Sequence, residues 1–210
     1  MAAKKATTKR VAKTKKRVEI SEEEEGELVS RVKKAKERVK ALFGGEQVLT
    51  ESSDQARALY NNGRFGELDG TGKVQLSLIE ALYLLEKEKI AISAPRVKAY
   101  TTESFIKKAK ARQPGFWTRY VVFRDMRNRG YIVKTALKFG ADFRVYDRGI
   151  KPGEDHAKWV LFPIHEGTAL TWHDFAAKNR VAHSTKKRLL IGIVDEEGDV
   201  TYYEVAWKRP

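Results

Sequence analysis

The sequence predicts an α/β protein (α+β overall), with a small N-terminal α+β domain ahead of a C-terminal α/β domain on a mixed sheet. Two observations lead there. Short apolar runs bounded by turn residues alternate with amphipathic stretches of helical length, and Gln113-Pro114-Gly115 interrupts the pattern midway. The expected organisation is a basic tail over 1–17, an N-terminal domain over 18–113 and a C-terminal domain over 114–210.

The elements follow in order. ISEEEEGELVSRVKKAKERVKALFGG reads as a leading helix over 18–45, because Ser21 and Glu24 have capping-box spacing and acids precede bases. Leu28, Val32, Val39 and Phe43 mark a partial apolar stripe, and Gly44-Gly45 is a stop signal. Residues 46–75 are turn-rich, with Asn61-Asn62-Gly63 and Asp69-Gly70, and read as small strands and a short helix. LSLIEALYLLEKEKI (76–90) is an amphipathic helix with Leu78, Leu82 and Leu85 on one face. A strand, a break at Pro95 and a helix from about Thr102 to Ala111 complete this half.

In the second half, residues 116–130 read as a helix with Tyr120, Phe123 and Met126 inward and Gly130 just past its end. YIVKTALKFG and ADFRVYDRG follow as strands, then HAKWVLFPI (156–164), bounded by Pro163. Thr171 and Asp174 open a helix over 171–185. RLLIGIVD (188–195) is a nearly continuous apolar strand, and VTYYEVAWK (200–208) returns as its hairpin partner.

Composition limits the functions open to this chain. Its 210 residues suffice for one sizeable core or two small ones, and the absence of cysteine removes disulfides, thiolate metal sites and a cysteine nucleophile. No apolar run is long enough for a membrane span and no secretory signal opens the chain, so a cytoplasmic location is expected. The net charge is +14, of which residues 1–17 supply +8 through eight Lys or Arg and no acid, leaving +6 on the remainder. A folded part that stays basic points to a phosphate-rich partner such as RNA or DNA.

The four histidines, His156, His165, His173 and His183, form no i,i+4 pair around a glutamate, so no metal or other cofactor is expected. No phosphate loop GxxxxGK and no GxSxG elbow occurs, which argues against a nucleotide-hydrolysing motor or a serine hydrolase. One chemistry needs only a base, an acid and a cation: attack of a ribose 2′-oxygen on its own phosphate. Tyrosine, histidine and lysine can fill these roles, given local positive charge to ease deprotonation of the tyrosine. Composition does not say which tyrosine, histidine or lysine would act.

Three runs narrow the choice: YVVFRDMRNRGYIVKTALKFGADFRVYDRG, EDHAKWVLFPI and RVAHSTKKRLLIGIVDEEGDVTYYEVAWKRP. They resemble the archaeal tRNA-splicing endonuclease family over roughly residues 116–210. The likeness is weaker through the N-terminal half, where VQLSLIEALYLL (74–85) is similar to a family helix, and the basic tail has no counterpart. The resemblance implies an endoribonuclease that excises introns from precursor tRNA at bulge–helix–bulge elements, leaving 2′,3′-cyclic phosphate and 5′-hydroxyl ends. It assigns Tyr146 as general base, His156 as general acid and Lys187, three residues after the serine of HSTKK, as the transition-state cation.

It further implies that Arg180 and a second residue near the end of the chain pinch a flipped base. Trp207 is the candidate there and Arg209 the fallback, with Lys186 as a phosphate contact. Asp195, Glu196, Glu197 and Asp199 would form an acidic loop that enters a basic cleft of a neighbouring subunit, in a homotetramer or a heterotetramer with a structural subunit. The competing reading is a non-catalytic RNA-binding or assembly subunit of the same complex, against which the complete Tyr–His–Lys set argues. An unrelated basic nucleic-acid-binding protein is the third.

Overall fold

The computed structural model describes residues 38–136, 140–150, 152–153 and 155–208. Among these, ten strands form two five-stranded sheets, ordered β3-β4-β2-β1-β5 and β10-β9-β8-β7-β6. Each sheet mixes parallel and antiparallel pairs, as the α/β expectation requires.

The N-terminal sheet starts with β1 (Val39–Phe43), which pairs antiparallel with β2 (Gln47–Thr50) and parallel with β5 (Ile90–Ser93). This corrects the expected leading helix over its last turn; the rest of that helix lies outside the described residues. Val39, Ala41 and Phe43 are buried while Lys40 and Leu42 face out, a period of two that suits a strand. Pairing on both sides outweighs whatever helical tendency continues from upstream.

Helix α1 (Asp54–Asn61), β3 (Glu67–Leu68) and β4 (Val74–Ser77) are the expected small elements. Asp69 closes the β3–β4 turn by accepting from the backbone N–H groups of Thr71 and Lys73. Helix α2 (Leu78–Glu86) starts two residues later than expected, since Leu76 and Ser77 end β4. Ser77 then serves as its N-cap in a full capping box with Glu80. Glu80 is buried, and its second carboxylate oxygen accepts from Gly66 N–H at 2.8 Å, so both oxygens of this interior charge have partners.

Helix α3 (Thr102–Arg112) passes to α4 (Phe116–Asn128) through Gly115, whose φ of 66° only glycine adopts without strain. Tyr120, Phe123 and Met126 of α4 are buried as expected. Phe123 meets Tyr83 of α2 edge-on at 5.8 Å and Phe143 of the C-terminal sheet at 5.9 Å, joining the two sheets in one apolar core.

The C-terminal sheet comprises β6 (Ile132–Thr135), β7 (Phe143–Tyr146), β8 (Trp159–His165), β9 (Arg188–Val194) and β10 (Val200–Val205). Only β8 and β9 are parallel neighbours, and α5 (Trp172–Ser184) makes the crossover between them. Strand β8 does not stop at Pro163 but continues to His165. β7 pairs only with residues 159–161, so beyond that point β8 has no partner on that side and the missing proline N–H leaves no gap in the ladder. One face of the sheet packs on α4. There Gly192 has no room for a side chain, because a Cβ would lie 3.2 Å from both Val122 and Tyr202. The other face carries a second apolar cluster of Val160, Phe162, Leu189 and Ile191 with Ala182 of α5.

Candidate active site

The three expected catalytic residues lie towards one end of the C-terminal sheet, Tyr146 closing β7, Lys187 just before β9 and His156 on the loop before β8, the strand between them. Val145, Trp159 and Arg188 are opposite one another across β7, β8 and β9. The row just outside them contains Tyr146, Lys158 and Lys187. Two backbone bonds fix this row: Lys158 N–H donates to Val145 at 2.9 Å and Arg188 N–H to Lys158 at 3.0 Å. With strands about 4.8 Å apart, the backbones of Tyr146 and Lys187 are separated by about 10 Å. His156 sits on the β7–β8 loop, two residues before Lys158, and its backbone N–H donates to Asp155.

The side chains differ in exposure. His156 is exposed and Lys187 is half-buried, whereas Tyr146 is only 5% exposed. Tyr146 ends β7 paired with Ile132, and Arg144 places its guanidinium 6.0 Å from the phenol ring. A tyrosine can bury its apolar ring and reserve the tip for chemistry.

Lys187 is placed by the end of α5. Thr185 caps the helix, Lys186 takes a left-handed conformation at φ 54°, and Lys187 N–H returns to Ala182 at 2.8 Å. The Lys187 ammonium donates to Thr185 carbonyl at 2.9 Å. Lys186 itself is exposed.

Arg180 is exposed on α5, one turn before His183 and on the same side of the helix. Trp207 is 52% exposed and lies beyond the end of β10 rather than within it as expected, because the ladder with β9 ends at Val205. Its ring meets the His183 imidazole at 4.4 Å. His183 is not among the expected site residues, and the Arg180-x-x-His183 spacing on one helical face is the available signal for it. Arg209 lies outside the described residues.

Two further charged residues flank the row. Lys158 pairs with Asp147 at 2.7 Å, and that bond holds the Asp147 carboxyl below its ordinary range. Glu204 of β10 is likewise lowered, first by the Trp159 indole N–H at 2.6 Å and then by Arg188 at 2.8 Å. On the α4 face, burial and a bond to Asp125 push the Tyr202 hydroxyl far above its usual value, so it stays protonated and structural.

At the opposite end of β9 and β10, Asp195, Glu196, Glu197 and Asp199 form the hairpin turn. Asp195 accepts from Asp199 N–H at 2.7 Å and Gly198 turns the chain at φ 87°. The Glu196, Glu197 and Asp199 side chains are exposed. Elsewhere, a cleft of about 700 Å³ includes Arg112, Lys134 and Arg144 together with Glu67 and Glu80. Among the described residues no helix is long and apolar enough to cross a membrane.

Comparison with known proteins places this architecture. Residues 116–202 match the catalytic C-terminal domain of tRNA intron endonucleases, and residues 39–106 match their N-terminal domain. The fold is thus that of a tRNA intron endonuclease catalytic domain behind a smaller N-terminal one. The tRNA-splicing endonuclease of Thermococcus gammatolerans is 41% identical over 167 residues, covering 80% of this chain and 96% of that protein. That of Methanothermobacter thermautotrophicus is 40% identical over 173 residues, covering 82% and 99%. That of Nanoarchaeum equitans is 44% identical over 142 residues, covering 65% and 90%. The chain belongs to the tRNA intron endonuclease family.

Proposed function

We propose that this protein is an endoribonuclease that excises introns from precursor tRNA at bulge–helix–bulge sites without a metal. The observation that supports the reading is the single row of Tyr146 and Lys187 on either side of β8, with His156 on the loop that enters that strand. In the reaction, Tyr146 takes the proton of the ribose 2′-OH as that oxygen bonds to the adjacent phosphorus. The bond from phosphorus to the 5′-oxygen breaks, and a protonated His156 gives its proton to the leaving oxygen. Lys187 balances the charge that builds on the phosphorane between these steps. The products are a 2′,3′-cyclic phosphate and a 5′-hydroxyl.

Arg180 and Trp207 hold a base flipped out of the bulge, with His183 backing the indole and Lys186 on the neighbouring phosphate. Shape and splayed bases are what proteins read in RNA. Trp207→Ala therefore weakens binding of the bulged RNA by about 1–3 kcal/mol, the usual worth of a stacked base. A filter-binding comparison against a fully paired RNA checks this, and an equal loss on both RNAs counts against the clamp.

The working form is a homotetramer. The acidic turn 195–199 enters the cleft that contains Arg112, Lys134 and Arg144 on a neighbouring copy. The unpaired edge of β10, next to an apolar groove formed by Leu170, Phe175 and the exposed Tyr203, supports a second kind of contact between copies. The test is cleavage of a bulge–helix–bulge RNA by the purified chain in EDTA, with product ends identified and native mass measured on the same sample. Cyclic-phosphate ends and a four-chain mass are expected. Loss of cleavage in EDTA, or 3′-hydroxyl ends, would refute the mechanism.

A further inference from the structure

The β7–β8 loop carries His156, and its two ends are tied together by side chains that the reaction does not use. Asp147, next to Tyr146, accepts from the Lys158 ammonium at 2.7 Å. That ammonium also lies 4.4 Å from the centre of the Trp159 ring, and Trp159 meets Tyr131 edge-on at 5.9 Å. The Arg148 guanidinium lies 4.9 Å from the centre of the Tyr131 ring, while its backbone N–H donates to the first oxygen of Asp147 at 3.0 Å. The contacts thus run from Asp147 through Lys158, Trp159 and Tyr131 to Arg148 and back to Asp147. Trp159 is further held to β10 by Glu204.

We infer that the Asp147–Lys158 pair is a positioning clasp that sets His156 against Tyr146. This rests on reading those two residues as acid and base. The backbone bond from Lys158 to Val145 fixes where β8 starts, but it leaves the direction of the chain before Lys158 open. The ion pair closes that freedom by joining the residue after Tyr146 to the residue two beyond His156. Both partners are partly exposed, at 41% and 40%, and such pairs add little to global stability. Placement of reacting groups is far more sensitive, since an error of about 1 Å can cost about a hundredfold in rate.

The test is a double-mutant cycle on single-turnover cleavage at saturating RNA, with Asp147→Asn, Lys158→Met, the double variant and Lys158→Arg. RNA affinity and melting temperature are measured for each, and His156→Ala is the control. Each single variant is expected to cleave about tenfold more slowly at unchanged affinity and melting temperature. The double variant is expected to lose no more than the worse single, because the two residues act through one contact. Lys158→Arg is expected to keep most of the rate.

Several results overturn the clasp while leaving the acid and base in place, provided His156→Ala is inactive. These are additive losses, wild-type rates in the single variants, or a Lys158→Met defect that appears only as weaker RNA binding. Wild-type cleavage by His156→Ala instead removes the reading on which the clasp rests.

Discussion

His156→Ala is expected to cleave its RNA about 10²- to 10⁴-fold more slowly than the unaltered chain, the usual contribution of one positioned acid. Binding is retained, because His156 is exposed on a loop and its loss leaves the fold intact. The reasoning starts from the leaving group. A 5′-alkoxide is a poor one, and without a donor within hydrogen-bond reach it departs only as water can protonate it. Tyr146→Phe is expected to lose a comparable factor, with a difference in folding. The Tyr146 ring is almost fully buried, and phenylalanine preserves that packing while deleting only the hydroxyl. Single-turnover rates with affinities measured in parallel check both variants. A Tyr146→Phe protein that cleaves normally would return Tyr146 to a purely structural role.

The second large effect is on stability. Phe123→Ala is expected to cost about 3–5 kcal/mol, the range for emptying a buried phenylalanine site. Phe123 is 1% exposed and touches aromatic rings in both halves, Tyr83 on α2 and Phe143 on β7. Neither neighbour can collapse freely into the space, because each belongs to a packed element. Phe143 lies three residues before Tyr146 on the same short strand, so the cavity also loosens the strand that carries the proposed base. Denaturant unfolding measures the cost, and cleavage well below the new midpoint tests the looser strand. A loss under about 1 kcal/mol would mean that the two halves pack independently at this point.

What could be read from the sequence was largely what is encoded locally. Thr171 with Asp174 is a capping pair three residues apart, and its helix starts where the pair says, whereas the same spacing of Ser77 with Glu80 went unused and α2 was expected two residues too early. The inward face of α4 was legible for the same reason. β1 was not, because its identity comes from pairing with β2 and with the distant β5. Two charged or apolar residues facing out, Lys40 and Leu42, blurred its period of two.

The candidate site divides the same way. The resemblance pointed to Tyr146, His156, Lys187 and Arg180, whereas the i, i+3 spacing that sets His183 beside Arg180 went unused. The burial of Tyr146, the meeting of His183 with Trp207, and the ring of contacts around Lys158 depend on which strand ends lie side by side. No local pattern of residue types carries that information.

The acidic turn and the row of Tyr146 and Lys187 occupy opposite ends of the same strand β9. From Lys187 to Asp195 the chain advances eight steps, about 26 Å at strand rise. A strand hydrogen-bonded on both sides does not stretch, so on the proposed function β9 would act as a ruler between the docking turn and the cleavage site. In an assembly docked through that turn, the span between two cleavage points is written into the length of one strand. Substrate choice then becomes a matter of measured distance, and residues that never touch RNA set the gauge.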